Sequence, residues 1–272
     1  MQKHLTTRRF LLPLGLAFAL LNPWLLDGEP VRVRHAEGLV HGFLLLRSLD
    51  GKIVAEGDLT ENAVGNIVNA HLVYHFKDGS LHEETAVFSQ SHTFHLLKDQ
   101  LVQKGPSFQH PQDTLIDAAK REVTVRYSDD DRKEKVITDH LDFPADLANG
   151  MVLTLLKNIR PSEAPRKVSM MVATPKPLLV KLVITPGGEE TFNIGDSQRK
   201  ATRYDVAVEL QGIKGWFAHL LGKQPPPTRV WILYGAAPAF VKSEGPLCMD
   251  CPVWRTELAS PVWPQAPSQE DK

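Results

Sequence analysis

The residues best suited to chemistry lie in the stretch HLVYHFKDGSLHEE, residues 71–84, where histidines and glutamates surround one Asp-Gly pair. Neutral imidazole and carboxylate are both zinc ligands. Asp-Gly is typical of a two-residue hairpin turn, and such a turn would place His75 opposite His82. His71, His75, His82 and Glu84 would then share one face of the hairpin. These four side chains are therefore candidate ligands of a divalent metal ion, and would serve a metal-dependent hydrolase.

The same register gives the hairpin an apolar face formed by Leu72, Tyr74 and Phe76. The histidine face is then the solvated side of a half-buried sheet, which is the interpretation we favour. A catalytic metal site also needs partners that orient its ligands, and the sequence shows none. A pH-sensitive pairing of His75 with His82 is a third interpretation. We expect no cofactor.

The two cysteines of the chain, Cys248 and Cys251, lie in the stretch LCMDCPVW. In an oxidising compartment such a pair favours a local disulfide. A thioredoxin-type redox site would place the first cysteine at the start of a helix, whereas a strand-like segment follows here. Zinc binding would need further ligands.

Several enzyme signatures are missing from the sequence. It contains no G-x-S-x-G elbow, no phosphate-binding glycine loop and no H-E-x-x-H pair. The sequence therefore favours a non-enzymatic function, although it leaves enzymatic activity open.

Residues 1–36 have the layout of an export signal or an N-terminal anchor, with basic residues followed by an apolar run. The stretch TTRRFLL also fits a minimal twin-arginine signal, so the route of export stays open. Removing residues 1–36, which hold five basic and two acidic residues, would change the formal charge from −1 to −4. An acidic mature chain argues against nucleic-acid binding. We expect a periplasmic or cell-envelope protein.

From residue 37 to residue 263 the sequence predicts a single β-rich domain, followed by a flexible tail over residues 264–272. Short segments of alternating apolar and polar residues, separated by turns, predict many antiparallel strands. Periodicity predicts two covering helices, one over residues 143–159 and one over residues 212–222. The second is rich in aromatic residues and is a candidate for peripheral membrane contact.

A set of stretches, among them HFKDGSLHEETAVFSQ, DLANGMVLTLLKNI and ATPKPLLVKL, resembles an uncharacterised family of exported bacterial β-rich proteins. More distantly, the strand-rich pattern is similar to that of periplasmic lipoprotein carriers. This resemblance implies a mainly β fold, either a strongly curved antiparallel sheet or a half-open barrel, with helices over an apolar concavity. It implies no residue roles.

The expected function is therefore that of an exported, non-enzymatic envelope protein that binds a lipid or acyl chain inside a curved sheet. The alternative is a structural or interaction protein of the envelope, with a protein partner and a filled core. The candidate lining residues, which an ordinary core would also explain, are Leu147, Met151, Leu155, Tyr204, Val206 and Val208.

Overall fold

The computed structural model describes residues 28–128, 133–163, 165–174, 176–209 and 226–260, which form fourteen strands and one short helix. The strands before the helix are β1 (Leu39–Ser48), β2 (Ile53–Val64), β3 (Ile67–Phe76), β4 (Leu81–Gln90), β5 (Phe94–Lys104), β6 (Gln112–Asp117), β7 (Glu122–Ser128) and β8 (Glu134–His140). The helix and the strands after it are α1 (Val152–Asn158), β9 (Arg166–Thr174), β10 (Lys176–Ile194), β11 (Ser197–Glu209), β12 (Thr228–Leu233), β13 (Ala239–Gly245) and β14 (Trp254–Leu258).

All the strands belong to one antiparallel sheet in the order β8-β7-β6-β5-β4-β3-β2-β1-β14-β13-β12-β11-β10-β9. Each strand therefore pairs with its neighbours in sequence, except that, among the described residues, β8 and β9 are not paired and β1 pairs with β14. Strands β7 and β10 contact each other although they occupy opposite ends of this order, so the sheet is strongly curved. The predicted mainly β, curved antiparallel fold is confirmed.

The sheet is interrupted between its edge strands β8 and β9, which are not paired within the described residues. We call this interruption the seam. The chain between the two strands includes the covering segment, residues 141–159, which crosses the inner face of the sheet. It forms a parallel bridge from Leu147 to Ser169 of β9. The covering segment thus supplies partners to one of the two sheet edges.

The predicted helix over residues 143–159 is wrong in its first half, because the helix consists of α1 alone. The side chains of the preceding residues bind β9 instead. Ser169 donates from its hydroxyl to Asp146 at 2.8 Å, and the Met171 backbone N–H donates to the Asn149 side-chain oxygen at 2.8 Å. Short polar side chains that bond to neighbouring backbone favour non-helical conformations.

Residues 28–37 form an N-terminal strap that is built into the fold. Val31 is in the core. The backbone N–H groups of Arg34 and His35 both donate to the side-chain oxygen of Asn158 at the end of α1, each at 2.8 Å. The strap therefore fixes the C-terminal end of the helix.

The predicted leader boundary near residue 36 would remove most of the strap from the folded domain. Residues 1–27 lie outside the described residues, so the leader itself stays a prediction. The predicted helix over residues 212–222 and the tail over residues 264–272 also lie outside the described part of the chain.

The inner face of the sheet carries two apolar clusters. The larger one surrounds α1 and joins residues of β3 to β7 with residues of β9 to β12. The smaller one lies between β1, β2 and β3 and includes Phe108 and Trp254. Among the described residues, no helix has the length and apolar character needed to span a membrane.

Candidate functional site

The predicted cavity-lining residues pack in the larger apolar cluster around α1. Leu147, Met151, Leu155, Tyr204 and Val206 are buried, and Val208 is half-buried. The Tyr204 hydroxyl donates to the Ile159 carbonyl at the end of α1, at 2.6 Å. The interior is thus filled at these positions.

The predicted hairpin register is wrong by one residue. His82 pairs with Tyr74, and His75 pairs with Leu81. The reason is a longer turn, in which Gly79 has φ +86° and its N–H donates to the Phe76 carbonyl at 3.0 Å. A shift of one residue turns every side chain of the second strand to the other face.

The candidate metal ligands are consequently split between the two faces of the sheet. His75 is exposed, whereas His82 is buried. His71 forms an outer-face pair with Glu83, with Nε2 and Oε1 2.8 Å apart. In the described part of the chain, no three His, Cys, Asp or Glu side chains come together to hold a metal ion. The predicted metal-binding face of the hairpin does not form.

His82 is buried and bonded to the side chain of Gln103. The Gln103 side-chain amide donates to His82 Nδ1 at 2.9 Å and to the Leu247 carbonyl at 2.7 Å. Because Nδ1 accepts a hydrogen bond, the ring proton is on Nε2. Burial lowers the pKa of His82 to about 4, so the ring is neutral at neutral pH.

Cys248 and Cys251 are joined by a disulfide, in agreement with the favoured prediction. The bridge directly follows Leu247, whose carbonyl accepts the hydrogen bond from Gln103. Both cysteines are half-buried against the smaller apolar cluster. The disulfide closes a short turn beside the buried histidine.

Two carboxyl groups meet inside the sheet below the covering segment. Glu84 and Asp99 lie on the inner faces of the neighbouring strands β4 and β5. The Gly150 backbone N–H donates to Glu84, and Asp99 Oδ1 is buried without a hydrogen-bond partner in the described residues. Burial raises the pKa of Glu84 to about 7. Burial and the charge of Glu84 also raise the pKa of Asp99. We expect the pair to retain a proton near neutral pH.

A second pair of carboxyl groups shares one cation. Lys157 of α1 lies 2.6 Å from Glu37 of the strap and 3.5 Å from Glu61 of β2. The Thr154 hydroxyl also donates to Glu61 at 3.2 Å. Burial raises the pKa of Glu37 to about 7, while Lys157 opposes the shift. This cluster ties the strap and β2 to the helix.

A pocket of about 400 Å³ lies between β5, the β6–β7 turn and the first residues of the covering segment, the segment that leaves the seam, and we call it the seam pocket. Its apolar wall is formed by Leu96, Phe143 and Leu147. At its rim the Arg121 guanidinium donates to Asp142 at 2.9 Å. Leu147 is the predicted lining residue that borders this pocket.

Comparison with known proteins gives one structural similarity. No family model matches the sequence, and no curated protein is similar to it in sequence. The chain is similar to the crystal structure of a β-barrel-like protein of domain of unknown function DUF1849 from Brucella abortus. That similarity has a TM-score of 0.44 and 8% identity, and covers 83% of this chain and 98% of that one. Similarity at this level assigns no role to any residue.

Proposed function

We propose that the protein is a non-enzymatic binding protein of the cell envelope whose ligand is a lipid or acyl chain held in the seam pocket. The observation that carries this proposal is a pocket beside the start of the covering segment with a wall of apolar side chains and a polar rim. Its volume of about 400 Å³ is within the range of roughly 300–1,000 Å³ that is usual for small-molecule sites.

The composition of the pocket suits an amphiphile. Leu96 and Leu147 are nearly fully buried and form part of the apolar wall of the pocket. Arg121 and Asp142 at the rim are exposed and remain hydrated. An acyl chain would therefore contact leucine and phenylalanine side chains, while its polar head would stay near Arg121. Transfer of the acyl chain out of water would provide the driving force for binding.

The backbone of the rim is consistent with a specialised position. Arg121 is the one non-glycine residue with a positive φ in the described part of the chain, at +56°. This conformation is uncommon for a residue with a Cβ, and such outliers often occur at ligand sites. It directs the chain from the β6–β7 turn into β7 beside the pocket.

Ligand binding is tested with delipidated protein and a fluorescent fatty acid. Ala145 is exposed and lines the pocket, so Ala145→Trp would fill it and weaken binding by about tenfold or more, which is about 1.4 kcal/mol. The matched control is Ala237→Trp, which places the same side chain on the exposed β12–β13 turn. Equal affinity in the wild type and Ala145→Trp would contradict the proposal, as would the lack of both uptake and co-purifying lipid.

The cell-envelope location rests on the leader pattern of the sequence and on the disulfide. Cell fractionation together with mass determination of the mature chain tests it. We expect cleavage, if it occurs, before the strap, because Val31 is in the core. A cytoplasmic protein with reduced cysteines would contradict this part of the proposal.

The second candidate function is that of a structural or interaction protein of the envelope. It is favoured by the filled interior, in which five of the six predicted lining residues are buried. This function would be favoured over the first if the protein bound no lipid in any of the tests and cross-linking captured a stable partner from the envelope.

A further inference from the structure

We infer that a second pocket, at the C-terminal end of α1, binds the oxyanion head of a small organic molecule, either a phosphate or a carboxylate. This pocket, which we call the strap pocket, has a volume of about 540 Å³. It is formed where the N-terminal strap, α1 and the β12–β13 turn meet. The residues that line it are Arg34, His35, Lys157, Asn158, Arg160, Tyr234 and Gly235.

The lining has the chemistry of an anion site, because it contains three cationic side chains and an imidazole but no carboxylate. Two of the cations are held in place by acidic side chains that are not among the lining residues. Arg34 contacts Glu163 at 2.5 Å, and Lys157 contacts Glu37 at 2.6 Å. These two cations are therefore fixed before any ligand arrives.

The third cation, Arg160, is available to a ligand. Its side chain is exposed, and it has no ion pair within the described residues. A guanidinium group presents paired donors that match a carboxylate or a phosphate. Arg160 thus supplies the charge that is not already used by the fold.

The end of a helix carries partial negative charge, which by itself disfavours an anion. Here the terminal carbonyls are already bonded. The Tyr234 hydroxyl contacts the Leu156 carbonyl at 2.7 Å and the Ile159 carbonyl, and Arg34 donates to the Asn158 carbonyl. Burial raises the pKa of Tyr234 to about 12, so its hydroxyl stays protonated. The carbonyl charge is thus compensated before a ligand binds.

The size of the pocket distinguishes an organic anion from a simple ion. A volume of about 540 Å³ leaves room for a carbon skeleton beside the oxyanion. The Tyr234 ring and the Gly235 backbone offer an uncharged wall for it. The two sources of such a head group are a soluble metabolite and an anionic lipid.

The site is tested by titrating the full protein with inorganic phosphate, with glycerol 3-phosphate, and with vesicles containing phosphatidylglycerol. We expect glycerol 3-phosphate to bind more tightly than inorganic phosphate, and added salt to weaken both. Vesicle binding without glycerol 3-phosphate binding would assign the site to a lipid head group. The absence of binding to all three probes would overturn the inference.

The decisive variant is Arg160→Gln, for which we expect about tenfold weaker binding or more, with Arg160→Lys in between. The matched control is Arg199→Gln, since Arg199 is also exposed and without an ion pair in the described residues. Equal losses in both arginine variants would overturn the inference, because they would indicate non-specific attraction. Ala145→Trp should leave this binding unchanged, so failure of the seam-pocket proposal is distinguishable.

Discussion

Two pairs of carboxyl groups lie inside the same sheet, and they differ in what compensates them. Glu37 and Glu61 share the ammonium group of Lys157, which is 2.6 Å from the first and 3.5 Å from the second. Within the described residues, no cationic side chain pairs with Glu84 or Asp99. The covering segment instead donates a hydrogen bond from the Gly150 backbone N–H to Glu84. The first pair is an ionic link between helix, strap and sheet. The second depends on a retained proton.

The comparison shows that one segment is held by two different physical means. Lys157 and Gly150 both belong to the covering segment, one within α1 and the other just before it. An ionic link is lost when either partner is removed, whereas a protonated pair is weakened by ionisation. The two regions should therefore respond in opposite ways to the loss of one carboxylate charge.

The largest expected effect is that of Lys157→Met. Removing the shared cation leaves Glu37 and Glu61 buried without compensation, which costs about 3–5 kcal/mol in the free energy of unfolding. Chemical denaturation at pH 8 measures it. The double variant Lys157→Met/Glu61→Gln should recover part of the loss. A cost below about 1 kcal/mol for Lys157→Met would show that the ionic link is weak.

The next effect is that of Gly150→Ala. A Cβ at this position would lie 2.5 Å from the Cβ of Ala86 and 2.7 Å from Asp99 Oδ1, and the backbone has φ +64°. We expect a loss of about 2–4 kcal/mol from overpacking and strain. Gly65→Ala is the matched control, because Gly65 has φ +59° but open space around it. Thermal unfolding of both variants separates the packing effect from the strain.

A smaller effect, of opposite sign in the two regions, is expected when one carboxyl is replaced by its amide. Asp99→Asn removes a charge from the pair without a cation, so we expect it to stabilise the protein by about 1 kcal/mol at pH 8. Glu61→Gln removes a partner of Lys157 and should destabilise the protein by a similar amount. Changes of the same sign in both variants would contradict the comparison.

The wild-type protein should also show a pH dependence to which both regions contribute. The pKa values of Glu37 and Glu84 are raised to about 7, so their contribution is fully present below about pH 4.5 and is lost as the pH rises through 7. The pKa of His82 is lowered to about 4, and its contribution is lost as the pH falls from 6.5 towards 4. We expect the free energy of unfolding to rise by about 1–2 kcal/mol from pH 8 to pH 6. Asp99→Asn should reduce this rise, and a fall over this range would contradict the assignment.

The sequence predicts the sheet well because alternation is a local property. Tyr204 and Val206 point inward on β11, as their spacing predicts. The sequence also predicts the position of the Asp-Gly turn correctly. The sequence does not predict that this turn is longer than two residues, and a distant residue binds the turn. The Ser107 hydroxyl donates to Asp78 at 2.7 Å, and no local pattern shows this contact.

The candidate site was much less predictable than the fold. Glu61 and Glu84 occupy inward positions of their strands, and that was the available signal. Their partners come from other parts of the chain, since Lys157 is 96 residues from Glu61. The covering segment has helical periodicity, but Asp146 and Asn149 bind β9 and prevent the helix from forming there. To predict such interactions, one would have to know the register of the whole sheet.

The pairing of β1 with β14 also has a consequence for the route by which the chain assembles. Arg47 bonds to Glu257, 210 positions further along, so this pairing in the middle of the sheet joins the first strand to the last. Joining such distant strands costs loop-closure entropy and slows folding. A circular permutant that begins at β9 and finishes at β8 would form every strand pair between neighbours in sequence. Stopped-flow refolding should find it faster than the natural order, with the finished sheet unchanged.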